Sequence, residues 1–202
     1  MKICNYIIKL VGISGGKIMN DNKFLELSIK LIDKNDPYKS GHSERVSKLS
    51  ELIAINLNLN EDLISRLKIG ALLHDIGKVL LPGDLWCILG ELEEEEKEII
   101  KKHSDLGADL LKDCDFDEEI VNIVRYHHEW WNGEGYPEKI SGEKIPFMAR
   151  IVGLSESYIS MISYDFYSAS RDKKEALEII KKEKGKQFAP EIVKSFLEVM
   201  DE

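Results

Sequence analysis

The sequence predicts an all-α fold, and two observations support this prediction. From Asn22 onward, apolar residues recur at intervals of three and four, the spacing that places them on one face of a helix. Runs in which β-branched and polar residues alternate, as they do in a half-buried strand, are almost absent. The chain is therefore predicted to be a succession of amphipathic helices.

Each of the first predicted helices has an apolar stripe and a clear boundary. Asp36-Pro37 follows the first stripe and Pro82-Gly83 closes the third, because proline does not continue a helix. The third stripe places His74 on the buried face, one turn beyond Gly70. The three stripes are Phe24, Leu27, Leu31 and Ile32; then Val46, Leu49, Ile53 and Leu57; then Leu63, Leu67, Gly70, Ala71 and His74.

The second half of the chain continues the helical pattern around one loop. The acidic run Glu91–Glu96 opens a helix, since carboxylates are favoured near a helix N-terminus. The segment from Trp131 to Pro146 is rich in Gly and Pro and predicts a loop, in which Gly133 and Gly135 are expected to adopt positive φ. Further helices are predicted at Glu118–His128, Met148–Met161, Lys173–Lys184 and Glu191–Val199.

Length and composition predict one domain and exclude some partners. With 202 residues and 43% hydrophobic content, residues 21–202 form a single predicted domain, preceded by a loosely ordered leader at 1–20. Its apolar segment Tyr6–Ile13 is too short to span a bilayer. A net charge of −9 argues against binding a nucleic-acid polymer. An odd number of cysteines, three, favours a reducing, cytoplasmic location.

The five histidines of the chain are predicted to form one metal site. They are spaced so that neighbouring helices could aim them at one point. The adjacent pair His127 and His128 is the strongest sign, because two imidazoles in an apolar stretch cost desolvation energy unless something binds them. Asp75 follows His74 directly and could bridge two metals, and Lys78 lies one turn later, where its ammonium could neutralise a bound phosphate. Glu156 adds a carboxylate from a later helix. The histidines are His42, His74, His103, His127 and His128.

These residues lie within ordered motifs that resemble the HD-GYP family, a branch of the HD superfamily. The resemblance extends from about Asp36 to Leu197. It implies an HD-domain helical bundle with added C-terminal helices and a loop that carries Gly-Tyr-Pro. The motifs are Asp36-Pro37-Tyr38, Gly41-His42-Ser43-Glu44-Arg45-Val46, Ala71-Leu72-Leu73-His74-Asp75-Ile76-Gly77-Lys78, His103 with Gly107, His127-His128-Glu129, Gly133-Glu134-Gly135-Tyr136-Pro137, Ile145-Pro146 with Ala149-Arg150-Ile151, and Gly185-Lys186-Gln187-Phe188-Ala189-Pro190.

The resemblance also implies a function. It is the hydrolysis of cyclic di-GMP or a related cyclic dinucleotide by two divalent ions, iron or manganese, which turn a bridging water into the attacking hydroxide. Lys78 would stabilise charge on the phosphate, and Asp36 and Tyr136 would contact the substrate. Tyr136 could instead be a turn residue packed beside Pro137. The first ion would be held by His42, His74, Asp75 and Glu156, and the second by Asp75, His103, His127 and His128. No membrane partner is expected, and a homodimer is left open.

The sequence departs from the family pattern at several places, among them Trp130, where an arginine is common, and Ile159-Ser160, where an Asp-Ala pair is usual. Glu156 stands where the family has aspartate, and Asn132 replaces an aspartate of the loop. Tyr38 occupies the position of a glutamate that holds a third metal in some members, which favours two metals. Asp165 stands where the family has an arginine that contacts phosphate. Two alternatives therefore stay open: an HD phosphohydrolase with another nucleotide or phosphoester substrate, and a catalytically degenerate module that keeps metal for structure.

Overall fold

A computed structural model describes residues 28–30, 32, 41–82, 93–163 and 172–201. Within these residues every regular element is a helix, apart from one isolated bridge between Lys184 and Phe188, so the all-α prediction is confirmed. No helix in this part of the chain is both long and apolar enough to cross a bilayer. The predicted leader and the segment around Asp165 lie outside the described residues.

Residues 28–30 and 32 are helical, and eight α-helices have both ends within the described residues. A 3₁₀ helix at Ile76–Leu80 follows the second of them, and another at Gly142–Lys144 lies in the loop before the sixth. The α-helices are α1 (His42–Asn56), α2 (Glu61–Leu73), α3 (Glu94–Lys101), α4 (His103–Asp113), α5 (Glu118–Tyr126), α6 (Phe147–Ile162), α7 (Lys173–Lys182) and α8 (Pro190–Met200).

Local capping explains where several helices begin. The Asn60 side chain accepts a hydrogen bond from the Leu63 N–H at 2.9 Å, and Asp117 accepts one from the Glu119 N–H at 2.9 Å. At the start of α3 the Glu93 N–H donates to the carboxylate of Glu96 at 2.8 Å. The predicted acidic helix start is therefore confirmed within residues 93–96, while Glu91 lies outside the described residues.

Two apolar clusters form the interior, and α2 and α5 contribute to both. The larger cluster includes Ile53 of α1, Leu67 of α2 and Phe196 of α8, all fully buried. The smaller one includes Leu73 at the end of α2 and Leu110 of α4. Because both apolar clusters pack against α2 and α5, the ends of these helices are held in place. The positions of the residues that follow them are fixed as a result.

Three predicted helices end earlier than expected. One is α7, which ends at Lys182 and not at Lys184, and the other two are followed by histidines. The structure ends α2 at Leu73 and α5 at Tyr126, whereas the sequence patterns were extended to His74 and His128. His74 and His127 are instead the residues that cap these helices. His42 and His103 are the first residues of α1 and α4. The histidines therefore lie at helix ends and not along helix faces, because apolar periodicity reports the buried face of a helix and not where it stops.

Gly77 allows the 3₁₀ helix to lie directly on the start of α4. A Cβ atom at Gly77 would be 1.9 Å from the His103 carbonyl oxygen and 2.5 Å from the Gly107 amide nitrogen. Both are backbone atoms, so the overlap could be relieved only by moving α4. Gly77 thus sets how closely His103 approaches the segment that carries Asp75.

We expect G77A to lower the free energy of unfolding by about 3 kcal/mol, at the upper end of overpacking costs, because the added methyl meets backbone atoms. The matched control is G142A. A Cβ at Gly142 meets nothing within 4 Å, and its φ of +60° leaves only the left-handed backbone cost of about 1 kcal/mol. Urea denaturation of metal-free protein measures both values. Equal losses in the two variants would contradict the close contact.

Candidate metal centre

Seven residues predicted as metal ligands converge on one place, between the ends of α2 and α5 and the starts of α1 and α4. Neighbouring imidazole rings have centroids 4.1–5.5 Å apart. Their potential ligand atoms form two groups, in each of which the atoms lie within 4.8 Å of one another. We name them the first triad, His42, His74 and Asp75, and the second triad, His103, His127 and His128. Glu156 of α6 belongs to neither group. Its Oε2 lies 3.6 Å from Nδ1 of His128, and its carboxylate also interacts electrostatically with His127, His74 and His42.

Three of the histidines are oriented in the same way. In each, ring Nδ1 lies 2.7–2.8 Å from the backbone carbonyl oxygen three residues earlier, in the last turn of the preceding helix. A carbonyl only accepts, so Nδ1 carries the hydrogen and Nε2 keeps its lone pair. Histidines that bind a metal through one ring nitrogen typically donate a hydrogen bond from the other ring nitrogen. The three pairs are His74 with Ala71, His103 with Ile100, and His127 with Val124.

Asp75 lies between the two triads. Its Oδ2 is 3.4 Å from Nε2 of His74, and its Oδ1 is 3.5 Å from Nε2 of His103. Lys78 donates to Oδ2 at 2.7 Å, so the predicted cation lies beside the carboxylate. Each oxygen of Asp75 therefore faces one triad, as a bridging carboxylate would.

The donor atoms fit metal cations. Nε2 of His74 and Oδ1 of Asp75 are buried and accept no hydrogen bond from the described part of the chain. Nε2 of His103 and Nε2 of His127 lie 3.4 Å apart, and both carry lone pairs because their Nδ1 atoms hold the hydrogens. Two facing lone pairs repel each other unless a positive charge lies between them. Nitrogen and carboxylate oxygen donors suit divalent transition metals.

The electrostatics of the site prepare the second triad and Asp75 for a cation. His74 differs, because burial opposes its protonation but the neighbouring Asp75 carboxylate raises the pKa of His74. Burial lowers the pKa of His103 and lowers the pKa values of His127 and His128 well below the ordinary value, so these rings are neutral at neutral pH. Burial opposes ionisation of Asp75, but the ammonium of Lys78 and the neighbouring histidines hold its pKa well below the usual range. Neutral imidazoles and an ionised carboxylate are the forms that bind metals.

The Gly- and Pro-rich loop covers one side of the second triad. The Tyr136 ring stacks on the His128 ring at 4.7 Å, and the Tyr136 N–H donates to the His128 carbonyl at 3.1 Å. Burial raises the pKa of the Tyr136 phenol, so it remains a hydrogen-bond donor. Tyr136 therefore lies against a candidate ligand, a contact that the sequence did not predict, while its contact with substrate stays a prediction.

Glu129 holds this loop, and sequence reasoning gave it no role. It is 7% exposed, and its carboxylate accepts a hydrogen bond from the Glu138 N–H at 2.7 Å. The sequence did contain a sign of this role, because Glu129 directly follows His127 and His128 and lies just before the Gly- and Pro-rich loop. This contact ties the start of the loop to the residue after Tyr136-Pro137.

The structure corrects one expectation about the loop glycines and gives Asn132 a role within the loop. Gly133 has a φ of +85°, as predicted, but Gly135 does not adopt positive φ. A glycine is nevertheless required at position 135, because a Cβ atom there would lie 2.3 Å from the Trp130 amide nitrogen. Asn132 serves the loop itself: its Nδ2 donates to the Glu134 carboxylate at 2.7 Å, and its Oδ1 accepts from the Glu134 N–H at 3.0 Å. An aspartate could not donate to Glu134.

Three sequence predictions lie outside the described residues. They are the substrate contact of Asp36, the missing third-metal ligand at Tyr38 and the charge reversal at Asp165. Beside Tyr136, an open cavity of about 520 Å³ extends along α3 and the start of α4. Its wall includes Lys101, Lys102 and Trp130.

Comparisons with known proteins agree with the motifs. A family model described as an HD domain matches residues 26–192. A cyclic di-GMP phosphodiesterase of Thermotoga maritima is 33% identical over 180 residues, which cover 88% of this chain and 49% of that protein. The resemblance to HD-GYP proteins is thereby confirmed.

Solved structures show the same fold. A cyclic GMP-AMP specific phosphodiesterase of Vibrio cholerae superposes with a TM-score of 0.69 at 22% identity, covering 88% of this chain and 48% of the other. An HDGYP protein of Bdellovibrio bacteriovorus gives a TM-score of 0.64 at 25% identity, with coverages of 80% and 52%. The chain spans about half the length of these relatives.

We expect K78M to lower the free energy of unfolding of the metal-free protein at neutral pH by about 1–3 kcal/mol, because it leaves the buried Asp75 carboxylate without its main cation. The pKa of Asp75 is lowered in the folded chain, so its ionisation stabilises the fold above the unfolded value of about 4 and is lost as the pH falls through the folded value. In K78M the pKa of Asp75 in the folded chain rises, so the loss of this stabilisation begins at a higher pH.

The deficit of K78M should therefore shrink as the pH falls below the folded pKa of Asp75 in K78M, toward the lower folded pKa of the wild type. Urea denaturation between about pH 7 and pH 3 measures it. The control K97M removes an exposed lysine that pairs with Glu94, and should change little. A deficit that stays the same at every pH would show that Lys78 acts by packing and not by charge.

Proposed function

Because the chain belongs to the HD domain family, we propose that it is a metal-dependent phosphodiesterase that hydrolyses cyclic di-GMP or a related cyclic dinucleotide. The observation that carries this proposal is the placement of the Asp75 carboxylate between two histidine-rich triads, 3.4 Å and 3.5 Å from one histidine of each. Two ions that share a carboxylate suit a phosphodiester, whose attacking and leaving oxygens both need charge stabilisation.

In this proposal the first triad holds one ion and the second triad holds the other, with Asp75 shared. Iron or manganese are the ions proposed, since imidazole and carboxylate donors both suit them. Divalent cations, when bound, supply positive charge for the phosphate and acidify water at neutral pH. The remaining work falls to side chains of the chain itself.

Lys78 has two tasks in the proposed reaction. At 2.7 Å from Asp75 it keeps that carboxylate ionised, and it is partly exposed, with 14% of its side chain accessible. Its ammonium can thus also reach a phosphate oxygen and stabilise the charge that develops there, which is the largest single contribution in many enzymes. No side chain needs to form a covalent bond with the substrate.

Tyr136 and the cavity beside it would position the substrate. The stacked ring leaves the phenol as a donor at the edge of the centre, and the adjoining cavity of about 520 Å³ is within the size range of ligand pockets. The ammonium of Lys101 lies 5.9 Å from the centre of the Tyr136 ring, but it is paired with Glu98. The three lysines of the cavity wall are balanced by Glu98, Asp105 and Glu134. We therefore assign the attraction of a polyanionic substrate to the bound ions and to Lys78.

The related proteins support a cyclic dinucleotide as the substrate. The Thermotoga maritima relative is named a cyclic di-GMP phosphodiesterase, and several Vibrio cholerae relatives are named 3'3'-cGAMP-specific phosphodiesterases. A cytoplasmic location belongs to the same proposal and is supported by the odd number of cysteines.

We expect the manganese- or iron-loaded protein to convert cyclic di-GMP or 3'3'-cGAMP to a linear dinucleotide or mononucleotides, measured by chromatography. The hydrolytic activity of D75N should fall to background. K78A should lose about 10²–10³ in kcat, because a charge that stabilises the transition state is removed. Y136F should mainly raise KM, and the exposed control K97A should keep full activity.

Each alternative predicts a different result. Faster turnover of other phosphoesters than of any cyclic dinucleotide would favour a phosphohydrolase with another substrate. A fully metal-loaded chain that turns over no phosphoester would favour a structural metal module. Either result would overturn the proposal.

A further inference from the structure

The two ends of the Gly- and Pro-rich loop meet over one arginine of α6. The guanidinium carbon of Arg150 lies 5.5 Å from the centre of the Trp131 ring, at the start of the loop. It also lies 5.0 Å from the centre of the Phe147 ring, directly after the end of the loop. At such distances a guanidinium is attracted to the faces of aromatic rings. Arg150 therefore connects the residue where the loop begins to the residue where α6 begins.

A contact with α8 holds the Arg150 side chain in this position. Its Nη1 atom donates to Oε1 of Glu191, in the first turn of α8, at 2.6 Å, and 11% of the side chain is accessible. A lysine could also pair with Glu191, but a compact ammonium cannot lie flat against two rings. The planar group of arginine is thus what the two ring contacts require.

Trp131 joins the loop to its surroundings. Its N–H donates to the Gln187 carbonyl at 3.0 Å, and its own carbonyl accepts from the Gly142 N–H, near the end of the loop, at 2.9 Å. Its ring packs against the larger apolar cluster and is partly buried there. Trp131 is therefore the residue through which Arg150 acts on both ends of the loop.

The loop carries a residue that the proposed reaction uses. Tyr136, five residues after Trp131, donates its N–H to the His128 carbonyl at 3.1 Å and stacks its ring on the His128 ring at 4.7 Å. Residues 132–135 carry no apolar side chain. A segment with few buried apolar contacts opens locally at a low free-energy cost, so its position depends on how its ends are held.

We propose that Arg150 is a positioning residue for the proposed reaction. By packing on Trp131 and Phe147 it holds the two ends of the loop together, and it thereby keeps Tyr136 against His128. Arg150 acts through the loop and not on the substrate itself. The inference rests on the proposed function, in which Tyr136 contacts the substrate.

Hydrogen exchange of the full metal-free chain, followed by NMR for single amides, tests the contact. R150M removes the planar cation but keeps a long side chain. We expect the amides of Gly142 and Tyr136 to exchange at least about tenfold faster in R150M, while the buried α1 residue Ile53 keeps its rate. R150K keeps the charge but not the flat stacking, and should behave as R150M does. The matched control R66M removes an ion-paired arginine of α2 and should leave the loop amides unchanged.

Steady-state kinetics of the manganese-loaded chain supplies a readout that general loss of packing would not give. Because Tyr136 is proposed to bind the substrate, R150M should raise KM for cyclic di-GMP about three- to tenfold and change kcat by less than about twofold. Metal content should equal that of the wild type.

The possible results are separable. Unchanged exchange at Gly142 and Tyr136, equal acceleration at Ile53, or wild-type exchange in R150K would overturn the inference and leave the proposed function standing. A fall in kcat without a rise in KM would do the same. If the wild-type chain hydrolyses no phosphodiester, the proposed function fails, and exchange of the loop amides still decides whether Arg150 holds the loop.

Discussion

The hydrogen bond between an imidazole Nδ1 and the last-turn carbonyl of a helix is the interaction on which this site depends. The final carbonyls of an α-helix have no partner within the helix and need a donor. His74, His103 and His127 each supply one, at 2.7–2.8 Å. The same bond fixes the tautomer and leaves Nε2 facing the interior. One contact thus completes a helix end and prepares a metal ligand.

Close backbone packing turns these oriented rings into one centre. Gly77 brings the segment after Asp75 onto the start of α4, and Gly153 brings α6 onto the end of α5. The result is a set of buried donor atoms, among them Nε2 of His74 and Oδ1 of Asp75, that no other described group satisfies. Such atoms destabilise the fold when no cation is bound, so binding of metal and stability of the fold are linked.

The sequence was sufficient to predict the fold class and the members of the site, but not their arrangement. Apolar periodicity located most of the helices, and the spacing of histidines identified residues that do converge. The sequence did not show that His74 and His127 cap their helices. The end of a helix is decided by capping interactions and tertiary contacts, which can outweigh the helix propensity of the residues. Nor could the sequence show that Asn132 pairs with Glu134, or that Glu156 contacts His128. Those facts depend on how separate elements pack.

Helix-end carbonyls hold three histidines so that Nε2 of each ring is available to a cation. Long-range ¹H–¹⁵N NMR of the imidazoles, recorded without metal and then with ¹¹³Cd, tests this arrangement directly. We expect His74, His103 and His127 to carry hydrogen on Nδ1 in both states and to show cadmium coupling at Nε2 when metal is bound. Hydrogen on Nε2 of these rings in the metal-free chain, or cadmium coupling at their Nδ1 atoms, would contradict this arrangement.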